Sequence, residues 1–321
     1  MKDSEFELIH KLQKRFLPRI KGVVGIGDDC AIIDNNILIT TDALVDNVHF
    51  LSSKICFTDL GYKAMAVNVS DICAMGGFPL YALVTVGIPS GFDDLKVQNL
   101  IDGFDECRND YGFDILGGDT VKSDTFFVSI TIIGSAFYKP LRRNTAKAKD
   151  FIYVTGRIGD SGIGLKIITG DMKYPVADTE YFLKRHYRPQ PNPSLIEYLV
   201  KHHNISACID ISDGFIGDLM HIAEDSNVGF FIDIDELPVS KTQIGKSFYK
   251  DERYFYETAL NGGEDYELIF TTPEDLDTMK IYEQTGSVIT PVGYCEKDGF
   301  DIRLYDKKIE LNEIFKSYRH F

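Results

Sequence analysis

The sequence predicts a protein of two domains of the α/β or α+β class, and three observations lead to this prediction. The chain has 321 residues, and a single hydrophobic core rarely grows beyond roughly 250–300 residues. Hydrophobic residues make up 44% of the chain and aromatic residues 12%, which excludes wholesale disorder. Strand-like and helix-like patterns are mixed in both halves, as is typical of layers in which helices cover one side of a sheet.

The elements of the first half are predicted from caps, periodicity and turn residues. Ser4 and Glu7 form a capping box, and a helix of about a dozen residues follows and ends near Pro18. Apolar and alternating runs predict strands at 30–33, 37–41, 81–88, 113–116 and 126–136, and helices at 59–75 and 95–111.

A basic stretch with few apolar residues, 142–149, marks the predicted domain boundary. The N-terminal domain is therefore expected to span residues 1–140 and the C-terminal domain residues 141–321. Beyond the boundary, the patterns predict strands at 151–155, 207–211, 229–234 and 266–271, helices at 162–169 and 215–223, and a short β/α tail from residue 299.

The charge and the cysteines exclude several classes of protein. The chain carries 34 basic and 49 acidic residues, a net charge of −15, whereas binding to nucleic acid or to anionic lipid needs a basic surface. No apolar run approaches the roughly 18–20 residues that a membrane span requires, and acids occupy the place of a signal peptide's apolar core. The six cysteines show no CxxC spacing. We therefore expect a cytoplasmic protein that binds neither nucleic acid nor membrane.

Two glycine-containing segments resemble nucleotide-binding motifs without matching them. Gly245-Lys246-Ser247 lacks the earlier glycine of a P-loop, because Ser240 occupies that position. The run from Gly159 to Gly164 has the wrong spacing for a dinucleotide-binding fingerprint. It remains either a glycine-rich turn into a helix or a loop near a nucleotide.

Aspartates recur at predicted strand ends and at glycine turns. The segments are GIGDD (25–29), TTD (40–42), GGDT (117–120), DISDG (210–214) and GGED (262–265). Each has a simple alternative interpretation, because Asp-Gly pairs form turns and residues such as Ser212 or Asp213 can cap a helix.

Asp71 is the most informative single position. Small and apolar residues surround it in the predicted helix, and a helix that is apolar nearly all round is buried. Asn68, three residues earlier, points the same way. A buried carboxylate is costly unless a cation receives it, so an arginine partner, a place near the helix end or a bound metal ion is expected.

If these groups converge, their charges require bound cations. Each close pair of carboxylates repels by about 4 kcal/mol at an intermediate dielectric constant. The ligands would all be oxygen atoms, which favours Mg²⁺ or Mn²⁺ over zinc or copper. The residues therefore predict a site for a Mg²⁺-bound nucleotide without a P-loop. The aspartates concerned are Asp28, Asp29, Asp42, Asp71, Asp119, Asp210 and Asp213.

Taken together, these segments resemble the thiamine-monophosphate kinase family, of the superfamily that includes aminoimidazole ribonucleotide synthetase and selenophosphate synthetase. The resemblance covers nearly the whole chain and follows the family's order of motifs. The segments are GIGDDCA (25–31), TTDALVDNVHF (40–50), YKAMAVNVSDICAMGG (62–77), GGDT (117–120), YVTGRIGDSGIGL (153–165), IDISDG (209–214) and GGEDYEL (262–268).

The resemblance implies an activity and an architecture. The activity is ATP-dependent phosphorylation of thiamine monophosphate to thiamine diphosphate, with several Mg²⁺ ions. The fold is that of aminoimidazole ribonucleotide synthetase: an N-terminal domain that binds ATP and Mg²⁺ and pairs its sheet with a second subunit, followed by a C-terminal α/β domain. A homodimer is expected, because an open sheet edge or apolar face needs covering.

The resemblance also assigns roles to single residues. Gly118, Asp119, Arg143 and Ser212 would contact ATP, and His49, Glu264 and Tyr318 would contact the thiamine phosphate, with Phe321 as the alternative stacking ring. Asp71, Asp119 and Asp213 are expected to be essential for catalysis. The metal ligands would be Asp29, Thr40, Thr41, Asp42, Asp71, Asp119, Asp210 and Asp213.

The chemistry of the residues agrees with this assignment. The acceptor is a phosphate monoester that is largely deprotonated at neutral pH, so catalysis reduces to alignment and charge neutralisation without a general base. Arg143 could reach the phosphates from the boundary segment or be a solvated charge. His49 alone is more often a packing or surface residue than a substrate contact.

Two other functions are compatible with parts of the pattern. One is another ATP-dependent synthetase of the same superfamily. The other is a non-catalytic protein that binds divalent cations, which would explain the carboxylates but not the Arg143 segment or the glycine turns.

Overall fold

The computed structural model of the chain describes residues 5–314. Its strands are β1 (Ala31–Ile33), β2 (Ile37–Val45), β3 (Gly77–Ile88), β4 (Asp114–Lys122), β5 (Phe127–Ala136), β6 (Phe151–Thr155), β7 (Ala207–Asp210), β8 (Gly229–Asp233), β9 (Leu268–Thr272), β10 (Ile289–Glu296), β11 (Phe300–Leu304) and β12 (Lys307–Ile309). Its helices are α1 (Glu5–Arg15), α2 (Phe57–Ala74), α3 (Asp94–Tyr111), α4 (Asp160–Thr169), α5 (Thr179–Tyr187), α6 (Pro193–His202), α7 (Phe215–Ser226), α8 (Lys241–Ile244), α9 (Glu252–Asn261), α10 (Thr278–Thr285) and α11 (Leu311–Ile314).

The N-terminal sheet has the strand order β1-β2-β5-β3-β4. Strands β3 and β4 run parallel, and the other neighbouring strands run antiparallel. Helix α2 packs against one face, where alternate residues of β5 such as Val128, Ile130 and Ile132 are buried. This period of two is the expected pattern for a sheet covered on one side. The opposite face exposes apolar side chains, including Tyr81 and Leu83 at 41% each.

The C-terminal sheet has the order β12-β11-β8-β10-β6-β9-β7. Strands β8 and β11 run parallel, and the remaining pairs are antiparallel. Helix α7 contacts β7 and β9, and its Phe215 and Leu219 belong to the same buried cluster as Ile269. Mixed strands and helices in both halves match the fold class predicted from the sequence.

The two halves share part of their hydrophobic core. One buried cluster contains Ile132 of β5 together with Tyr153 of β6 and Phe270 of β9. Helix α2 also contacts β7 directly, which places the buried helix of the N-terminal half beside the end of a C-terminal strand. The division at residues 140 and 141 stays a prediction, and the two sheets lie on either side of it.

Two strands are longer than predicted, and this changes the place of two aspartates. Strand β2 continues to Val45, so Asp42 lies within the strand rather than at its end. Strand β4 continues to Lys122, so the GGDT segment (117–120) lies inside it and does not terminate it. The prediction was wrong because acids and glycines usually stop strands. In β2 the acid faces a cavity, and β4 is an edge strand whose residues are all exposed.

Among residues 5–314, no helix has both the length and the apolar character that crossing a membrane requires.

Candidate active site

A cavity of about 590 Å³ lies where β2 and α2 face the loops that flank β7 and β9. This volume is within the usual range for small-molecule sites. From the N-terminal half, Asp42, His49 and Asp71 contribute to its wall. From the C-terminal half, the wall includes Gly162, Ser212, Asp213, Gly263, Glu264 and Tyr266. The cavity therefore contains residues from most of the motifs that the sequence analysis selected.

Hydrogen bonds that connect α2 with β2 and β7 organise a cluster of aspartates beside this cavity. The Asp42 amide donates to Asn68 Oδ1 at 3.0 Å, and Thr40 donates its hydroxyl to the Asp71 carboxylate. Asn68 and Asp71 thus share one side of α2, as their spacing predicts. Ser70, on the same helix, donates its hydroxyl to Asp210 Oδ2 at 2.6 Å and links α2 to the end of β7.

The electrostatics show that four of these carboxylates are crowded together. Burial, followed by repulsion from Asp213, raises the pKa of Asp42 to about 6. Burial also raises the pKa of Asp210 to about 7, although the hydrogen bond from Ser70 acts to lower it. The pKa values of Asp29 and Asp71 are raised well above their ordinary range by burial and by neighbouring carboxylates. Each group therefore titrates in the field of the others.

This cluster has the composition of a site for hard divalent cations. Asp29 Oδ2 is buried and has no hydrogen-bond partner in the described part of the chain, which leaves an oxygen atom available to a metal ion. The donors are carboxylates and hydroxyls, which suit Mg²⁺ or Mn²⁺. Asp29, Asp42, Asp71, Asp210 and Asp213 could hold such ions, and bound cations would remove the repulsion between them.

Arg143 is a paired residue and not a solvated charge. Its side chain is 19% exposed, and Nε lies 3.0 Å from Asp225 Oδ2 and donates to the carbonyl of Gly27 at 3.2 Å. The neighbouring Arg142 Nε lies 3.3 Å from Asp28 Oδ2. Burial raises the pKa of Asp28, although both arginines oppose this effect. The boundary segment is thus anchored to the GIGDD loop and to α7.

The turn between β7 and α7 is held by one buried carboxylate. Asp218 Oδ2 accepts hydrogen bonds from three successive backbone amides, those of Ser212, Asp213 and Gly214, at 3.1–3.2 Å. Ligand atoms of Asp213, Asp218 and His221 also lie within 4.8 Å of one another. The main role of Asp218 is therefore to shape the turn that presents Ser212 and Asp213 to the cavity.

The GGED loop packs against this turn. A Cβ at Gly263 would lie 2.3 Å from the carbonyl oxygen of Ser212, so a side chain does not fit there. The Glu264 amide donates to the same oxygen at 2.8 Å. Glu264 and Tyr266 both have left-handed φ angles, +63° and +52°. Such strain in non-glycine residues is frequent at functional sites.

His49 and Glu264 line the same cavity, and their contact with the thiamine phosphate stays a prediction. His49 Nδ1 accepts a hydrogen bond from the Val45 amide at 3.0 Å. Glu264 Oε1 lies 3.0 Å from the buried ammonium group of Lys63 on α2. Burial alone would raise the pKa of Glu264, but Lys63, then His186 and His49, hold it below its ordinary value. Glu264 is therefore ionised in the cavity wall at neutral pH.

Asp119 is not brought to the aspartate cluster within the chain. It pairs with Thr85 on β3, in the row that continues through Ser129 to Ala43 of β2. Three strand spacings separate it from β2, roughly 14 Å. Ala43 and Asp42 are neighbours on a strand and point to opposite faces, so Asp119 faces away from the cluster. Its role as a metal ligand stays a prediction.

Three further predicted residues lie apart from the cluster or outside the described chain. The Thr41 side chain is on the opposite face of β2 from Thr40 and donates to the carbonyl of Ile130 at 3.0 Å. Gly118 packs so closely on β3 that a Cβ would lie 1.6 Å from the Val84 carbonyl oxygen. Tyr318 and its alternative Phe321 lie outside residues 5–314. The roles of all these residues stay predictions.

Several site residues were missed by the sequence analysis. Lys63, Ser70 and Asp218 contact predicted site residues directly, and Tyr254 lines the cavity. A signal existed for Lys63, because a lysine in a helix that is apolar nearly all round needs a counter-charge. Ser70 could not be found, because its partner Asp210 is 140 positions away. Asp218 lies only four to six positions from the amides that it binds, so its role was open to a local analysis.

Comparison with known families identifies the class of protein. Residues 27–136 match the family described as AIR synthase related protein, N-terminal domain. Residues 147–304 match the C-terminal domain of the same description. The two matches span most of the chain, which therefore belongs to the AIR synthase related family.

Relatives narrow the assignment within that family. The chain is 36% identical to the thiamine-monophosphate kinase of Buchnera aphidicola, with 100% of both chains covered. It is 34% identical to that of Bacillus subtilis, with 99% of both covered. A solved structure described as AaThiL complexed with AMPPCP and TMP superposes with a TM-score of 0.82 at 30% identity, covering 99% of this chain and 97% of the other. The chain is a member of the thiamine-monophosphate kinases, a family of enzymes. The resemblance and the fold inferred from the sequence are confirmed.

Proposed function

We propose that this chain transfers the γ-phosphoryl group of ATP to thiamine monophosphate and forms thiamine diphosphate and ADP. The observation that carries the proposal is the convergence of Asp29, Asp42, Asp71 and Asp210 beside a cavity that Glu264 also lines. Such a site can hold the anionic phosphates through metal ions and the cationic acceptor through a carboxylate. The names of the relatives and the ligands of the similar solved structure support this choice of substrates.

On the phosphate side, the aspartates would work together with the turn of residues 212–214 between β7 and α7. Asp29, Asp42, Asp71, Asp210 and Asp213 would hold several Mg²⁺ ions, with Thr40 as a further predicted ligand. Thr41 and Asp119 face away from this cluster within one chain, so their predicted role as ligands depends on the proposed pairing with a second copy. When bound, these ions neutralise charge on the phosphates and orient them. Gly118, Ser212 and Arg143 would contact ATP. Arg143 would give up part of its pairing with Asp225 to do so.

The phosphoryl transfer needs no general base. An oxygen of the acceptor's phosphate monoester attacks the γ-phosphorus in line with the bond to the ADP oxygen, which breaks as the new bond forms. The protein contributes alignment and charge compensation, so no covalent intermediate is formed.

On the acceptor side, the charges of the cavity wall suit a cationic ring. Glu264 is ionised, and its side chain is 24% exposed toward the cavity. It would attract the thiazolium ring or the aminopyrimidine of thiamine monophosphate. His49 would contact the same molecule, and Tyr318 or Phe321 would cover it.

The active form would be a homodimer in the cytoplasm. Strand β4 ends the N-terminal sheet and is exposed along its whole length, with Leu116 at 61%. An exposed edge strand of nine residues beside an open apolar face favours pairing with a second copy. Free cysteines and the use of ATP agree with a reducing cytoplasm.

The test is a transfer assay with a panel of acceptors. The protein is incubated with γ-labelled ATP, Mg²⁺ and thiamine monophosphate, thiamine or unrelated phosphate monoesters. Label is expected in thiamine diphosphate, in a 1:1 ratio to ADP. ATP hydrolysis without a labelled acceptor, or preference for another acceptor, would refute the substrate assignment. With a chiral γ-phosphoryl group, one inversion supports in-line transfer, whereas retention would show a covalent intermediate.

A further inference from the structure

Lys63 is a buried cation that the phosphoryl-transfer chemistry described above does not use. It lies on α2, its side chain is 1% exposed, and Nζ is 3.0 Å from Glu264 Oε1. In residues 5–314, no other acceptor forms a hydrogen bond with Nζ. A lysine that is buried this deeply requires compensation of its charge, and Glu264 supplies it.

The pair joins the two halves of the molecule at the cavity wall. Lys63 comes from the helix that carries Asn68 and Asp71, whereas Glu264 comes from the loop before β9. The backbone of that loop is already fixed by the left-handed φ of Glu264 and by the hydrogen bond that the Glu264 amide donates to the carbonyl oxygen of Ser212. Lys63 fixes what the backbone leaves free, namely the direction of the carboxylate.

The other groups near Glu264 compensate its charge less than Lys63 does. His186 Nδ1 lies 3.7 Å from Glu264 Oε2 and 3.0 Å from Ser161 Oγ. Burial and the nearby Lys63 lower the pKa of His186 to about 4, so this imidazole is neutral at physiological pH. His49 faces Glu264 from the loop after β2 and is half-buried. Lys63 is thus the buried formal positive charge beside the carboxylate.

We infer that Lys63 is a positioning residue for the phosphate acceptor: it holds the Glu264 carboxylate in one orientation against the cavity where the cationic ring would bind. This inference rests on the proposed function, because Glu264 must contact the acceptor. Loss of Lys63 would weaken binding of the acceptor and leave the ATP side unchanged. The ammonium group itself does not line the cavity, so it acts through Glu264.

A purely structural role for Lys63 is the alternative, and the chain offers a matched control. Arg188 also connects the two halves, since its guanidinium lies 3.1 Å from Asp59 and 2.6 Å from Glu106 and stacks over Tyr62. None of these residues lines the cavity. Arg188→Met removes cross-domain ion pairs, which are more exposed than that of Lys63, without touching Glu264.

The experiment measures KM for both substrates in Lys63→Met, Lys63→Arg, Glu264→Gln, the double variant Lys63→Met/Glu264→Gln, and Arg188→Met. In Lys63→Met, KM for thiamine monophosphate is expected to rise at least about tenfold, with KM for ATP and kcat within about twofold of wild type. Lys63→Arg keeps the charge and recovers most of the affinity. When Glu264 is already replaced by Gln, the further substitution Lys63→Met should raise KM for thiamine monophosphate only slightly, because the two residues act as a unit.

Each other outcome has a definite meaning. An unchanged KM for thiamine monophosphate in Lys63→Met, an equal rise for ATP, or the same rise in Arg188→Met would overturn the inference. If Lys63→Met does not fold, the test uses two other comparisons. The double variant, in which no buried charge is left unpaired, is compared with Glu264→Gln, and Lys63→Arg is compared with the wild type. Failure of Lys63→Arg to restore affinity would also overturn the inference. If the wild-type chain does not phosphorylate thiamine monophosphate at all, the proposed function fails instead.

Discussion

Replacing Asp42 by asparagine tests whether the aspartate cluster is built for cations. The substitution keeps the size of the side chain and leaves the hydrogen bond from the Asp42 amide to Asn68 intact. It removes one negative charge from a group of buried carboxylates. Without metal ions the variant is therefore expected to be more stable than the wild type, although it loses activity.

The magnitude follows from the titration of Asp42. Its pKa is about 6 in the folded protein, because of burial and then of Asp213, against an ordinary value of 3.8. At 1.36 kcal/mol for each pH unit, the ionised carboxylate costs the folded state about 3 kcal/mol at pH 7.5. Because the folded state binds the proton more tightly, this loss of stability develops as the pH rises from about 4 to about 6.

The assay is urea unfolding at pH 4 and pH 7.5, each with EDTA or with Mg²⁺. In EDTA, the free energy of unfolding of Asp42→Asn should exceed that of the wild type by up to about 3 kcal/mol at pH 7.5 and by little at pH 4. With Mg²⁺ the wild type gains stability at pH 7.5 and the variant gains less, because it has lost a ligand. Asp298→Asn, at an exposed turn, serves as the control.

The reasoning fails if Asp42→Asn destabilises the metal-free protein equally at both pH values. That result would mean that the carboxylate makes favourable contacts of its own and is not crowded by its neighbours. The deciding quantity is the difference between variant and wild type, because His186 and His221, whose pKa values are lowered to about 4, make the stability of both proteins rise over the same pH range.

Three further outcomes are expected. Asp119→Asn abolishes thiamine diphosphate formation while the melting temperature stays unchanged, because β4 is exposed; near-normal turnover in a coupled assay would contradict its role. Asp218→Ala lowers the free energy of unfolding by at least about 2 kcal/mol, because the backbone amides of residues 212–214 lose their hydrogen-bond acceptor. An unchanged urea midpoint would argue against this role. Light scattering is expected to give a mass near twice 36.2 kDa; a monomer would exclude the proposed pairing through β4.

Local patterns in the sequence predicted the elements of the fold where the pattern was regular. The helix predicted over 95–111 is α3 (Asp94–Tyr111), and the strand predicted over 151–155 is β6. Helices α5, α6, α9 and α10 and strand β10 received no assignment. In β10 a proline interrupts the strand, and a register shift accommodates it next to β6. Such irregularities depend on the neighbouring strands and are not visible in the strand's own residues.

The candidate site could be predicted to the extent that each residue type had a chemical reason to be there. Asp71 was recognisable because a carboxylate in an apolar helix needs a partner, and the structure places it against Asp42, Asp210 and Asp29. Contacts such as Ser70 with Asp210, 140 positions apart, could not be predicted. They depend on how two sheets pack, and packing is decided by many small contributions from both halves.

The sequence by itself determined the family of this protein, its acidic character and the residues able to bind metal ions, because residue chemistry and motif order are properties of the chain. Only the tertiary structure decided which of those residues act together. It grouped Asp29, Asp42, Asp71 and Asp210, left Asp119 on an edge strand, and paired Lys63 with Glu264. The physical reason is that electrostatic interactions depend on distance and burial, and both arise only when distant segments pack together.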